Sequence, residues 1–137
     1  MVEVERVPIE RRIDVVLAED DGMFVERLRE MVDEQPRLAV VGVAEDGLEA
    51  IELVDELGPQ AVVIDLHMPR LDGVSAVARL RQDHPQLSVI AITGDGRPEL
   101  HRAVAEAGAD AVILKDNLVD NLATEIVAAR ERQRALM

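Results

Sequence analysis

The most informative stretch of this sequence is residues 61–73, AVVIDLHMPRLDG. It begins with four apolar residues, which is typical of a β-strand covered on both faces. The carboxylate of Asp65 follows directly, ahead of a loop that contains Pro69 and Gly73. This charge either caps the loop or serves as a reactive group that a ligand can reach. The remaining strands and helices of the chain distinguish between these two interpretations.

The composition is that of one globular domain with an aliphatic core. The chain has 137 residues, of which 48% are hydrophobic and 31% are charged. This balance is typical of a folded domain rather than a disordered segment. Phe24 is the only residue among Phe, Tyr and Trp. The core must therefore consist of Val, Leu, Ile, Ala and Met, as is usual where helices pack on a buried sheet.

Several classes of protein are excluded by what the sequence lacks. Without cysteine, the chain cannot carry a disulfide framework, a catalytic thiol or a thiolate metal site. No apolar run approaches the roughly 20 residues that span a bilayer, and the first residues, MVEVER, contain no apolar signal core. We therefore expect a cytoplasmic protein without a membrane segment. The net charge of −13 gives no attraction to nucleic-acid phosphates, whereas cations and basic protein surfaces would be attracted.

Five apolar runs of strand length alternate with five helical patterns. The runs are residues 13–18, 38–44, 61–64, 87–92 and 109–114. The helical patterns have the following apolar stripes, which we assign to the core: Phe24, Leu28, Met31 and Val32; Ala50, Ile51, Val54 and Leu57; Val74, Val77, Ala78 and Arg81; Leu100, Ala103, Val104 and Ala107; Leu118, Leu122, Ile126 and Ala129. Asp46 with Glu49 is typical of a capping box, Pro98 of a first helical turn and Asn117 of an N-cap.

This alternation predicts the fold. Short strand–helix connections favour parallel strands joined by right-handed crossovers. Five such units predict an α/β fold with a flavodoxin-like, doubly wound, five-stranded parallel sheet and five helices. The expected strand order is 2-1-3-4-5. Sheets of this kind bind ligands at the carboxyl ends of their strands, near the point where the strand order reverses.

Polar residues follow four of the five predicted strands at those carboxyl ends: Glu19, Asp20 and Asp21, then Asp65, Thr93 and Lys115. Neighbouring carboxylates raise each other's pKa values unless a cation lies between them. With only oxygen ligands available, a hard divalent ion is expected, and Mg²⁺ is the best candidate. An ammonium group and a hydroxyl beside the Asp65 carboxylate would stabilise an added phosphoryl group. Each residue taken alone has a plainer explanation, such as helix capping by Asp20 or Asp21.

Four segments of the sequence resemble the receiver domain of two-component response regulators. They are VVLAEDD (residues 15–21), IDLHMP with DG (64–69 and 72–73), ITG (92–94) and ADAVILK (109–115). The resemblance covers residues 13–134. Residues 1–12 are then an N-terminal extension and residues 135–137 a C-terminal tail. Among receivers, the sequence most resembles those of LuxR-type regulators, because Lys115 is followed by Asp116 where many receivers have proline.

The resemblance implies a role for each residue of the predicted site. Asp65 would be the phosphoacceptor, taking a phosphoryl group from a histidine kinase or a phosphotransfer protein. Thr93 and Lys115 would bind the phosphoryl group. Mg²⁺ would be bound by Asp20, Asp65 and the main-chain carbonyl of His67, with Glu19 in an outer position where an aspartate is more frequent.

The resemblance also implies how the signal is used. The domain would phosphorylate itself and lose the phosphoryl group slowly, without being an enzyme that acts on a separate substrate. Phosphorylation would switch the surface of the fourth and fifth helices, which contacts an output domain or protein, or a second copy in a homodimer. The expected output is transcriptional. Because no DNA-binding segment follows Met137, we expect either a stand-alone receiver or the receiver part of a longer regulator, with no direct contact to nucleic acid or membrane.

Val112 departs from the family pattern, and two further residues lie beside the family's phosphoryl site. Val112 occupies the position on the fifth strand where receivers usually have an aromatic switch residue, so the usual coupling to Thr93 is altered. His67 and Asp95 lie two residues beyond Asp65 and Thr93. They would either tune phosphoryl hydrolysis or simply be exposed loop residues. We assign no role to His84 or His101.

Three other functions fit parts of the pattern. A pseudo-receiver that binds a partner without phosphorylation is favoured by Val112. A Mg²⁺-dependent phosphohydrolase is disfavoured, because such enzymes have a second aspartate where His67 stands. Flavin binding is disfavoured by the absence of a phosphate-binding loop and of aromatic residues to flank the ring.

Overall fold

Strands and helices alternate along the chain in the computed structural model, which describes residues 7–8 and 11–136. The elements are β1 Ile13–Ala18, α1 Gly22–Asp33, β2 Leu38–Ala44, α2 Gly47–Leu57, β3 Ala61–Asp65, α3 Gly73–Asp83, β4 Ser88–Thr93, α4 Pro98–Ala107, β5 Ala111–Leu114 and α5 Leu118–Ala135. A short 3-10 helix, Lys115–Asn117, leads into α5. Most of the predicted N-terminal extension, residues 1–12, lies outside the described residues, as does Met137 of the predicted tail.

The strands form one parallel sheet in the order β2-β1-β3-β4-β5. The predicted fold and strand order are therefore confirmed. In the central pair Asp65 lies beside Ile92, and at the edge Thr93 lies beside Leu114, the residue before Lys115. The order reverses between β1 and β3, so the ends of these two strands open onto the same crevice.

Both faces of the sheet are covered by helices. One core cluster contains Val16, Ile64 and Leu80 and joins the sheet to α2, α3 and α4. The other contains Leu17, Leu28 and Ile126 and joins the sheet to α1 and α5. Alternate residues of β1, β3 and β4 enter opposite clusters, which explains why these strands are continuously apolar. Within the described part of the chain, no helix has the length and apolar character needed to cross a membrane.

The predicted core stripes are mostly confirmed, with three differences. In α5 the stripe Leu118, Leu122, Ile126 and Ala129 is buried as expected. In α3 the buried face is instead Gly73, Ala76, Val77 and Leu80, and Ala78 is exposed. The prediction was wrong there because α3 is rotated relative to the assumed stripe. Leu57 in α2 and Ala103 in α4 are also exposed.

Arg81, which the predicted stripe placed in the core of α3, forms a polar network instead. Its NH2 group lies 2.8 Å from Oδ2 of Asp110. Its remaining donors reach carbonyl oxygens, including those of Gly108 at 3.0 Å and Leu87 at 2.7 Å. Arg81 therefore ties α3 to the turns that precede β4 and β5.

Side-chain caps start the helices that border the carboxyl end of the sheet. Asp21 accepts hydrogen bonds from two amides at the start of α1, Asp46 from the amide of Glu49 in α2, and Asp72 from the amide of Ser75 in α3. Asn117 precedes α5 as predicted, but its side chain makes no capping bond. These caps fix the loops that surround the predicted site.

Candidate functional site

The carboxylate of Asp65 is the centre of a buried polar cluster. Only 2% of the residue is exposed. Its Oδ1 atom accepts a hydrogen bond from the main-chain amide of His67 at 2.9 Å. Its Oδ2 atom lies 3.0 Å from the ammonium nitrogen of Lys115. Asp65 thus caps its own loop and is also paired with a cation.

The acidic residues after β1 lie beside this carboxylate. Glu19 is as buried as Asp65, and its Oε1 and Oε2 atoms accept hydrogen bonds from the amide of Asp21 at 3.1 Å and from Lys115 at 3.2 Å. Asp20 is exposed. One oxygen from each of Glu19, Asp20 and Asp65 lies within 4.8 Å of the others. Three carboxylate oxygens at this spacing suit a hard divalent cation with remaining positions for water and phosphate oxygens.

The charges in the cluster are unbalanced. Burial raises the pKa of Glu19 from 4.5 to about 7, and a hydrogen bond with Asp65 adds to the rise. Burial also opposes ionisation of Asp65, but hydrogen bonds from Glu19, the His67 amide and Lys115 outweigh it and lower the pKa of Asp65. Two buried carboxylates therefore face one ammonium group, and the site favours either a proton on Glu19 or an additional cation.

Lys115 remains an ammonium ion in this environment. Burial favours its neutral form, but the carboxylates of Asp65 and Glu19 outweigh this effect and raise the pKa of Lys115. The nitrogen also lies over the ring of Phe24, 4.4 Å from its centroid. From the sequence, Phe24 was expected only in the core. The signal for a second role was its place in the first turn of α1, three residues after Asp21.

Thr93 is fully buried, and its hydroxyl group is already engaged. The oxygen accepts a hydrogen bond from the amide of Asp95 at 3.0 Å and lies 2.9 Å from Nε2 of His67. The structure therefore brings the His67 side chain to the site, although the residue as a whole is exposed.

A second ion pair supports the loop that follows Asp65. Arg70 donates from Nε to Oδ2 of Asp46 at 2.8 Å. Its φ angle of 73° is positive, a conformation that non-glycine residues rarely adopt. The bond to Asp46 joins the β2–α2 loop to the β3–α3 loop. This pair escaped the sequence analysis because the two residues meet only through the parallel arrangement of β1 and β3 with β2.

The surface near Val112 contains a cavity of about 340 Å³ lined in part by His101, Val112, Leu114 and Asn117. Val112 itself is half-buried. His101 lies here rather than on an outer helix face, and its Nε2 atom is 2.7 Å from the main-chain oxygen of Asp95. The site residues predicted from the sequence thus meet at one end of the sheet: Glu19, Asp20, Asp65, Thr93 and Lys115. His101 contacts Asp95, which follows Thr93 by two residues.

Comparisons with known proteins agree with this geometry. The family model described as response regulator receiver domain matches residues 15–127. A protein-glutamate methylesterase/protein-glutamine glutaminase of Methanospirillum hungatei is 37% identical over 111 residues, which are 78% of this chain and 32% of the relative. The transcriptional regulatory protein DegU of Brevibacillus brevis is 31% identical over 121 residues, which are 87% of this chain and 51% of the relative. The chain therefore spans about a third to a half of these curated relatives.

Solved structures show the same likeness. The response regulator domain of Thermotoga maritima CheB superposes with a TM-score of 0.82 and 28% identity, covering 88% of this chain and 98% of that one. The signal receiver domain of the NarL regulator of Mycobacterium tuberculosis gives a TM-score of 0.77 and 27% identity, covering 90% and 98%. With its parallel sheet in the order 2-1-3-4-5 and its family match over most of the sequence, this protein belongs to the response regulator receiver domain family.

Proposed function

We propose that the protein is the phosphoacceptor receiver of a two-component system and that Asp65 accepts the phosphoryl group. The single observation that carries this proposal is the setting of Asp65. Its carboxylate is buried, has its pKa lowered by its hydrogen bonds, and lies beside the Lys115 ammonium and the carboxylates of Glu19 and Asp20. A fixed cation beside an ionised nucleophile is what stabilisation of a phosphoryl transition state requires.

The transfer consists of one displacement at phosphorus. An oxygen of the Asp65 carboxylate forms a bond to phosphorus while the bond from phosphorus to the histidine nitrogen of the donor protein breaks. The electron pair of that bond stays with the departing nitrogen. Lys115 neutralises charge on the transferred phosphoryl group, and the hydroxyl of Thr93 donates to one of its oxygens.

The residues present fit Mg²⁺. We propose that Asp20, Asp65 and the main-chain carbonyl of His67 hold the ion and that Glu19 assists from an outer position. The donors are all oxygen, and the raised pKa of Glu19, caused mainly by burial and then by Asp65, supports a place for positive charge in addition to that of Lys115. Bound Mg²⁺ would neutralise the phosphoryl oxygens and the carboxylates together.

The output is proposed on the same basis. We place the switched surface on α4, β5 and α5, where an output domain, a partner protein or a second copy of the chain would bind. The relatives include a methylesterase and a transcriptional regulator, and the Lys115-Asp116 pair favours a transcriptional output. The donor would be a cytoplasmic histidine kinase or phosphotransfer protein. We propose no catalysis on other substrates and no direct contact of this chain with nucleic acid or membrane.

The test is phosphorylation by acetyl phosphate with Mg²⁺, followed by intact-mass spectrometry. The wild type should gain the mass of one phosphoryl group, and hydroxylamine, which cleaves acyl phosphates, should remove it. Asp65→Asn should gain nothing. Asp83→Asn, which changes an exposed aspartate on α3, is the matched control and should react as the wild type does. No adduct on the wild type, or an equal adduct on Asp65→Asn, would contradict the proposal.

A pseudo-receiver remains the second candidate, because Val112 replaces the usual switch residue. Hydrogen exchange separates the two functions without a known partner. A phosphorylation-controlled receiver should show changed amide exchange in α4, β5 and α5 after acetyl phosphate is added. A phosphorylated protein whose exchange in these elements is unchanged would favour the pseudo-receiver.

A further inference from the structure

Lys115 and Phe24 form a unique pair in this protein. Lys115 is the only lysine in the sequence, since every other basic residue is arginine, and Phe24 is the only residue with a phenyl ring. The Nζ atom of Lys115 lies over that ring, 4.4 Å from its centroid. A cation at this distance from an aromatic face is attracted by the negative charge density of the ring.

The ring completes the surroundings of the ammonium group. An ammonium carries three N–H donors, and Lys115 directs hydrogen bonds to Oδ2 of Asp65 at 3.0 Å and to Oε2 of Glu19 at 3.2 Å. Phe24 covers a further side. The ammonium is therefore contacted by two carboxylates and one ring.

Phe24 is itself fixed at both ends. Its main-chain amide donates to Oδ1 of Asp21 at 3.3 Å, as part of the cap of α1. Its side chain packs against the core cluster that contains Leu28 and Leu118. The cap fixes the backbone of Phe24, and rotation of the ring away from Lys115 would lose core contacts.

We propose that Phe24 is a positioning residue for phosphoryl transfer, which holds the Lys115 ammonium beside Asp65. This inference rests on the proposed function and deepens it. A lysine side chain has four flexible carbons and loses considerable rotamer entropy when it is held in one place. The ring limits the rotamers open to Lys115 before the donor arrives, so less order must be imposed during the reaction.

A purely structural role for Phe24 predicts something different. If the ring only filled the core, an aliphatic residue of similar size would serve equally well for chemistry. Phe24→Leu and Phe24→Met retain apolar packing and remove the ring, whereas Phe24→Tyr retains the ring. Met23→Leu is the matched control, because Met23 is the neighbouring residue and is 84% exposed.

The contact itself can be tested by NMR without any phosphodonor. Protein labelled with ¹³C in lysine gives the signals of one lysine only, and the only phenyl ring that can shift them is that of Phe24. The Hε protons of Lys115 should lie upfield in the wild type and in Phe24→Tyr, and should return downfield in Phe24→Leu. Identical Hε shifts in the wild type and Phe24→Leu would overturn the inference.

The positioning role is tested by the rate of phosphorylation at saturating acetyl phosphate and Mg²⁺. Loss of a cation–π contact of intermediate burial should slow Phe24→Leu and Phe24→Met about fivefold, while Phe24→Tyr and Met23→Leu should keep the wild-type rate. Wild-type rates in both ring-less variants would overturn the role. Absence of phosphorylation from every protein, the wild type included, would instead overturn the proposed function, and the Hε shift would still decide whether the ring holds Lys115.

Discussion

Nε2 of His67 lies 2.9 Å from the hydroxyl oxygen of Thr93, so the two side chains that flank Asp65 are hydrogen-bonded to each other. Thr93 is buried and also accepts from the amide of Asp95. If the Thr93 hydroxyl is the donor of its bond with Nε2 of His67, that bond must break before Thr93 can donate to a phosphoryl oxygen. With that tautomer of His67, phosphorylation has to break a hydrogen bond of the unphosphorylated site.

Removal of this bond should make phosphorylation easier. An uncharged hydrogen bond contributes about 1 kcal/mol net, so His67→Ala should raise the rate of phosphorylation by acetyl phosphate roughly fivefold. The rate is measured by intact-mass spectrometry over time. His84→Ala is the control, because that histidine bonds to Asp55 on the surface and its loss should leave the rate unchanged. A rate in His67→Ala equal to or below that of the wild type would refute the prediction.

Mg²⁺ should stabilise the folded protein through Asp20. A ligand at a hundred times its dissociation constant adds about 2.7 kcal/mol, which corresponds to an increase of several degrees in Tm. Asp20→Asn should lose this increase, as followed by thermal unfolding with and without MgCl₂. Asp21→Asn should keep it, because asparagine retains the cap of α1 and the neighbouring residue is not in the acidic cluster. Equal increases in all three proteins would remove Asp20 from the metal site.

Asp46 should make stability depend on pH in the acidic range. The hydrogen bond from the amide of Glu49, together with Arg70, lowers the pKa of Asp46. A carboxylate with a lowered pKa stabilises the fold above the ordinary aspartate pKa of about 3.9, and this contribution disappears as the pH falls through the lowered value.

The matched change is Asp46→Asn, which keeps the helix cap and removes the charge. The difference in the free energy of unfolding between wild type and Asp46→Asn should be largest at about pH 6. It should shrink towards about pH 3, as measured by urea denaturation. Arg70→Met should weaken the same pH dependence. A difference that stays constant over this range would show that the pair contributes no pH-dependent stability.

Gly73 should tolerate no side chain. A Cβ atom at this position would collide with Cα of Leu66 and approach its carbonyl oxygen to 2.7 Å. Because Leu66 directly follows Asp65, Gly73→Ala should destabilise the fold by about 1–3 kcal/mol and also slow phosphorylation. Gly94→Ala is the control, since nothing lies within 4 Å of a Cβ atom there. The denaturant midpoint and the phosphorylation rate test both effects, and a Gly73→Ala protein that matches Gly94→Ala would contradict the prediction.

The sequence predicted the elements that depend on local pattern. Five apolar runs separated by helical stripes and short loops leave few topologies besides a parallel sheet with right-handed crossovers. The prediction was wrong where a helix face had to be chosen. Ala78 and Arg81 were placed on the buried face of α3, but the rotation of α3 is set by its packing on β3 and β4. Arg81 instead binds Asp110, the residue directly before β5.

What the sequence by itself determined is therefore a parallel sheet with Asp20, Asp65, Thr93 and Lys115 at the carboxyl ends of its strands, because the direction of the strands follows from alternation and crossover hand. The tertiary structure alone decided which atoms touch there. The ring of Phe24 reaches Lys115 and the imidazole of His67 reaches Thr93 through the packing of separate elements. No spacing along the chain encodes these contacts, since they depend on the side-chain rotamers that the assembled core permits.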